Sequence, residues 1–176
     1  MTPRAARRPK RVLLVGMMGS GKSSIGHELS RRTGWPFLDN DVLLQRATGR
    51  TARELLADEG EVGLRAGESA ALHEALAVSP PAIVAVAGGV VLDAEDRRRM
   101  DDDGFVVWLQ ASAEELADRA TGATHRPWVH EGAEAWFDRE ITARAPLYEE
   151  VADVSVDTER LAPPQAAELV LRAVER

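Results

Sequence analysis

Gly16-Met17-Met18-Gly19-Ser20-Gly21-Lys22-Ser23 is the segment of this chain whose residue types and spacing most directly imply chemistry. It fills G-x-x-x-x-G-K-[ST] at every fixed position, with an apolar run before it and a helical pattern after it. Glycines let successive backbone N–H groups turn inward onto phosphate oxygens, and the N-terminus of the following helix adds partial positive charge. Lys22 is then a mobile point charge for the outer phosphates, and Ser23 offers a hydroxyl to Mg²⁺. Gly19, Ser20, Gly21 and Ser24 complete the expected nucleotide contacts. Lys22 stands out again in composition, because the chain has twenty arginines and only two lysines.

Asp39 and Asp41 are the next pair. They follow the short apolar stretch Phe37-Leu38. On extended backbone, residues two apart face one side. Both carboxylates could then project from the carboxyl edge of a sheet, where open α/β folds bind ligands. One would hold Mg²⁺ and the other would orient an acceptor hydroxyl; the bland alternative is that Asp41 merely caps the next helix.

A phosphate loop names a nucleoside triphosphate and not a reaction. Small-molecule kinase, regulatory GTPase and ATPase motor all remain. The base-reading Asn-Lys-x-Asp of a GTPase is absent, and no apolar strand ending in aspartate of the ATPase kind is well formed. Phosphoryl transfer to a small molecule is therefore ahead.

The elements that must position these residues are legible as alternating runs. Strands are expected at Arg11–Gly16, Phe37-Leu38, Ala82–Ala87, Phe105–Leu109 and Ala152–Val156. Helices are expected over Lys22–Arg32, Asp41–Ala47, a segment capped by Thr51 with Glu54 as a capping box, Arg65–Val78, Asp93–Met100, Ser112–Ala120, Trp136–Ala143 and Pro164–Val174. Gly60 and Gly63 should break the third helical section, and Pro146 should end the seventh. Strands of continuous apolar residues alternating with helices predict an α/β three-layer sandwich around a five-stranded parallel sheet, of the P-loop NTP hydrolase/kinase type.

The 176 residues suit one domain, expected over 11–176, with residues 1–10 as a disordered basic arm. Residues 40–78 would form the acceptor-binding region and 121–132 a lid loop. There is no cysteine, which excludes disulfides and thiolate chemistry. Net charge is -7, which argues against a nucleic-acid partner, and no apolar run approaches the ~20 residues of a membrane span. A cytoplasmic monomer acting on small molecules, with no membrane or nucleic-acid partner, is the expectation.

GMMGSGKSSIG, FLDND, GEVGLRAGE, AGGVVLD, the Arg126-Pro127 pair, RAPLY and VADVSVDT occur in that order from Val12 to about Val174. In this order and spacing the chain resembles the shikimate kinases, within the nucleoside-monophosphate-kinase-like P-loop group. The resemblance implies transfer of phosphoryl from MgATP to the 3-hydroxyl of shikimate, in aromatic amino acid biosynthesis by way of chorismate. It implies Ser23 and Asp39 at the Mg²⁺, and Asp41 on the ring hydroxyls as acceptor of the reacting proton. Arg65 and Arg144 would bind the substrate carboxylate, with Glu68 as the acidic partner of Arg65. Gly88 and Gly89 would lay their backbone against the substrate, Arg126 would reach the transferring phosphate, and Arg119 would stack near adenine. Lys22, Asp41 and Arg126 are the implied catalytic set. A planar carboxylate suits guanidinium forks.

Arg65 stands three residues from Glu68, and Arg144 four from Glu140, so each could be an ordinary helix pair. Such a pair does not exclude function, since an acid neighbour can hold a guanidinium in place. The chain departs from the family pattern at Leu64, Ala87, Trp128-Val129 and Glu140. These changes leave open a kinase for a related acceptor such as gluconate, or a non-catalytic nucleotide-binding regulator.

Overall fold

The structure is a computed structural model that describes residues 11–121 and 132–175. The expected basic arm and the lid arginine Arg126 lie outside the described residues. Strands β1 (Arg11–Val15), β2 (Phe37–Asp39), β3 (Ala82–Ala85), β4 (Phe105–Gln110) and β5 (Val154–Asp157) form one sheet in the order β2-β3-β1-β4-β5. Every pairing is parallel. The helices are α1 (Lys22–Thr33), α2 (Asn40–Thr48), α3 (Ala52–Ala77), α4 (Ala94–Asp103), α5 (Ala113–Thr121), α6 (Ala133–Val151) and α7 (Pro163–Val174).

Helices cover both faces of the sheet, which is why its central strands are apolar without alternation. All five residues of β1 are buried. Successive side chains point to opposite faces. Leu13 and Val15 join Leu72, Met100, Phe137 and Tyr148 on one side, while Val12 and Leu14 join Ile25, Leu29 and Val170 on the other. The expected three-layer architecture is what forms. Strand β1 lies where the connections change direction across the sheet, the place where such folds put their ligand crevice.

Three local expectations need correction. Gly60 does interrupt α3, with φ 71° and ψ -172°, but Gly63 is helical. A Cβ on Gly63 would lie 2.4 Å from the Cβ of Glu59, so this glycine lets the chain fold tightly back at the kink. Pro146 does not end α6, which runs on to Val151. Phe137, Arg144, Tyr148 and Val151 form one buried stripe along it, and that packing outweighs the roughly 3 kcal/mol a proline costs inside a helix. Finally, Asp39 and Asp41 do not share an extended strand end. Asp39 closes β2 and is the N-cap of α2, accepting the Asp41 backbone N–H at 3.0 Å; Asp41 sits in the first helical turn.

Candidate active site

The loop between β1 and α1 is shaped by close approach. Gly16 has φ +143°, and a Cβ there would lie 2.5 Å from the Leu109 carbonyl oxygen of β4. The lysine that follows folds back into this loop: Lys22 Nζ donates to the carbonyls of Gly16 and Met17, each at 2.9 Å. Ser23 Oγ donates to Asp39 Oδ2 at 2.6 Å, joining the start of α1 to the end of β2. Ser20 is fully buried, its Oγ finds no partner among the described residues, and its backbone N–H donates to the Met17 carbonyl at 3.2 Å. Arg119, from α5, donates to the carbonyls of Gly19 and Thr158, both at 3.0 Å, and to Glu115 at 2.7 Å. It braces the loop rather than lining the cleft in front of it.

That cleft has a volume of about 1250 Å³. Along the loop it is bordered by Gly19, Gly21, Lys22, Ser23 and Ser24. Asp39, bonded to Ser23, leads from there to the other side, bordered by Asp41, Arg65, Gly88, Gly89 and Arg144, so residues from four separate stretches of chain converge on this far end. Leu64 and Ala87, two departures from the family pattern, also border it. Of the expected site residues, Ser20 and Arg119 do not border it, and Arg126 lies outside the described residues.

The far end is an arrangement of paired charges. Arg65 Nη1 donates to Glu68 Oε2 at 2.6 Å, and Nη2 reaches Glu61 at 3.4 Å. Burial pushes the Glu68 carboxyl above its usual range, with the Arg65 charge opposing that shift. Burial would depress Arg65, but Glu68 and Glu61 beside it outweigh this and hold it above its ordinary value. Asn40 is buried and donates from its side-chain amide to the Glu68 carbonyl at 3.2 Å, tying α2 to α3 beneath the two acids. Arg144, 7% exposed, pairs with Glu140 on its own helix. Tyr148 donates to the Gly88 carbonyl at 2.7 Å, and burial pushes its hydroxyl up to about 12. The 3₁₀ turn Val90–Leu92 after the two glycines is held by Arg97, which donates to the Val91 carbonyl at 2.8 Å and pairs with Glu150 of α6.

The fit between Gly89 and Arg65 is close. A Cβ on Gly89 would lie 1.7 Å from Arg65 Nη1. A glycine is therefore required for the guanidinium to lie where it does.

The chain matches the family described as Shikimate kinase over residues 18–175. It belongs to the shikimate kinase family. The enzyme called shikimate kinase in Symbiobacterium thermophilum is 39% identical over 152 residues, which is 85% of this chain and 87% of that one. The one in Thermodesulfovibrio yellowstonii is 33% identical over 168 residues, 95% and 96% of the two chains. Among solved structures, the shikimate kinase from Acinetobacter baumannii in complex with shikimate superposes with a TM-score of 0.89 at 32% identity, covering 94% of this chain and 93% of that chain. A gluconokinase from Sinorhizobium meliloti 1021 shares the fold at a TM-score of 0.68 and 21% identity, covering 97% and 94%. The expected fold class and the expected family both stand.

Sequence reasoning missed three residues of this site. Arg139 borders the cleft and, among the described residues, has no carboxylate partner. It carries no motif, so nothing marked it. Tyr148 is the chain's only tyrosine and follows Arg144 by four residues, which places both on one helix face; that spacing could have drawn attention to it. Asn40 lies between the two aspartates, and no short pattern implies its bond to the Glu68 carbonyl.

Proposed function

We propose that this protein transfers the γ-phosphoryl group of ATP to the 3-hydroxyl of shikimate. The observation that supports this most is the convergence of Asp41, Arg65, Arg144 and the Gly88-Gly89 backbone at one end of a cleft whose other end is the Lys22 loop. A hydroxylated ring acid needs two kinds of grip. Guanidiniums suit its carboxylate and a carboxylate suits its hydroxyls.

In this reading Arg65 and Arg144 fix the acid end, and the Gly88-Gly89 backbone lies along the ring. Asp41 accepts the hydrogen of the reacting hydroxyl as its oxygen forms the new bond to the γ-phosphorus. The bond from that phosphorus to the β,γ-bridging oxygen breaks, and ADP leaves. Lys22 neutralises the oxygens of the transferring group, with Arg126 assigned the same role from the lid. Catalysis is then mostly positioning and charge stabilisation. Arg119 is assigned to the adenine; its donors are committed to the loop, so the flat face of its guanidinium is what it offers the base.

The donors at Ser23 and Asp39 are hard oxygens already in contact at 2.6 Å, which suits Mg²⁺. Among the described residues no three acidic or histidine side chains cluster to hold a cation. Ser23 and Asp39 would therefore share it with the nucleotide, and it would supply positive charge to the transferring phosphate.

The test is MgATP turnover with shikimate, quinate, gluconate or no acceptor, alongside Asp41→Asn. Turnover with shikimate, lost in Asp41→Asn, is the expected result. Preference for gluconate would overturn the acceptor, and equal ADP release without acceptor would overturn the kinase reading.

A further inference from the structure

Arg144 is the more deeply buried of the two arginines assigned to the acid, and its guanidinium is held unequally. Nη2 is paired to Glu140, one turn back on α6. Nη1 approaches the Met17 thioether at 4.0 Å, a weak acceptor. Arg144 borders the cleft and Glu140 does not. The carboxylate therefore grips the guanidinium from behind and leaves the cleft side of the fork to a ligand. Glu140 is not occupying the ligand's place.

A guanidinium released from that grip has another carboxylate within electrostatic reach. The charge of Arg144 is felt at Glu68, whose own bond goes to Arg65 at 2.6 Å. A loose Arg144 would be drawn toward Glu68 and would compete with Arg65 for it. Both forks would then lose their aim. Each arginine instead has its own carboxylate on its own helix, Glu68 for Arg65 and Glu140 for Arg144.

We propose that Glu140 is a positioning residue for acid acceptors: it holds Arg144 apart from Glu68 and directs its free edge at the acceptor carboxylate. This rests on the reading of Arg144 as an acid anchor. A merely structural Glu140 would stabilise α6 as a surface-side i,i+4 pair, and its loss would lower the melting temperature without touching the kinetics.

The experiment measures the KM for shikimate, the KM for ATP and kcat in wild type, Glu140→Gln, Glu140→Ala, Arg144→Ala and the double variant Glu140→Ala/Arg144→Ala. Glu140→Ala should raise the shikimate KM about tenfold and Glu140→Gln, which keeps a neutral acceptor, about threefold, the scale of one charge-assisted hydrogen bond lost or weakened. The KM for ATP and kcat should stay within about twofold, since neither variant touches the phosphate end. In the Arg144→Ala background, Glu140→Ala should add nothing, because the residue acts through that arginine. An unchanged or lowered shikimate KM, or independent effects in the double variant, would overturn the proposal; Glu140→Gln covers the case in which alanine disturbs folding. A wild type inactive on shikimate refutes the acceptor reading, and the positioning role with it. An active wild type with unaffected Glu140 variants refutes the positioning role alone.

Discussion

Replacing Gly89 by alanine should weaken acceptor binding in a chain that still folds. The backbone of Gly89 is ordinary, φ -87° and ψ -12°, so an L side chain is conformationally welcome. The added Cβ would nevertheless meet Arg65 Nη1 at 1.7 Å, Cζ at 2.3 Å and Nε at 2.9 Å. Carbon contacts are comfortable from about 3.5 Å, so the guanidinium must retreat by about 2 Å. What it strikes is the free end of a long side chain, not backbone, so the retreat leaves the backbone in place, though it costs folding free energy by leaving the buried Glu68 carboxylate unpaired. It does break the 2.6 Å bond to Glu68 and take the fork away from the acid end of the cleft. Losing a charge-assisted hydrogen bond to a carboxylate is worth about 1.5–3 kcal/mol. That is roughly ten- to hundred-and-fifty-fold in the KM for shikimate. Steady-state kinetics against each substrate, with a thermal melt on the same samples, make the check. The expected outcome is a shikimate KM resembling that of Arg65→Ala, an ATP KM near wild type, and a melting temperature lowered about as far as in Arg65→Ala, since both variants lose the bond to Glu68. A folded Gly89→Ala enzyme with an unchanged shikimate KM would refute the reasoning, since Arg65 would then be no anchor for the acid.

Gly88→Ala should behave differently from its neighbour: its Cβ would lie 3.1 Å from the Gly16 carbonyl oxygen, at the base of the phosphate loop, so the KM for ATP should rise along with that for shikimate in the same assay. Tyr148→Phe should remove an alkaline transition. The Tyr148 hydroxyl is pushed up to about 12 from an ordinary 10.0, so its stabilising contribution is complete below pH 10 and is lost as pH rises through 12, because the unfolded chain ionises first. Two pH units of that difference amount to about 2–3 kcal/mol; melts from pH 9 to 12 should fall more steeply in wild type than in Tyr148→Phe, and parallel curves would contradict it. The variant should also start lower at neutral pH, because the Gly88 carbonyl loses its 2.7 Å partner. Arg139→Ala should weaken binding of the anionic acceptor most at low ionic strength, read as a KM ratio between about 20 and 300 mM salt, since an exposed charge acts over a Debye length.

The phosphate loop was legible because its physics is local. Eight consecutive residues carry the glycines, the lysine and the hydroxyl, and the strand and helix they require adjoin them. The sheet was legible for a related reason: parallel strands covered on both faces must be continuously apolar, and Leu13-Leu14-Val15 and Ile83-Val84-Ala85 are. The illegible parts depend on contacts between distant residues. Gly63 and Gly60 are the same residue type three positions apart, yet only Gly60 leaves the helix. Pro146 reads as a stop until the buried stripe around it is known. The bond from Arg119 to the Gly19 carbonyl spans 100 residues of sequence, so its bracing of the loop is not readable from any short segment.

The acceptor end shows why motif matching recovers site residues and misses their supports. A residue assigned to touch a ligand is constrained in type by the ligand's chemistry, and Asp41, Arg65 and Arg144 come into view through the family segments FLDND, GEVGLRAGE and RAPLY. A support is constrained only by the residue it holds, and several types can do the holding. Tyr148 reaches Gly88 across 60 positions, Asn40 reaches Glu68 across 28, and neither bond is implied by any short pattern. Glu140 is the exception that spacing exposes, because its partner lies one helical turn away. Supports of this kind set how firmly two like-charged forks can be held in one cleft. Two guanidiniums sharing a single carboxylate would compete for it, whereas two with separate carboxylates can both face a third. In the proposed function that third carboxylate is the one a ring acid brings, and each guanidinium meets it from a separate helix, α3 or α6, already paired on its own.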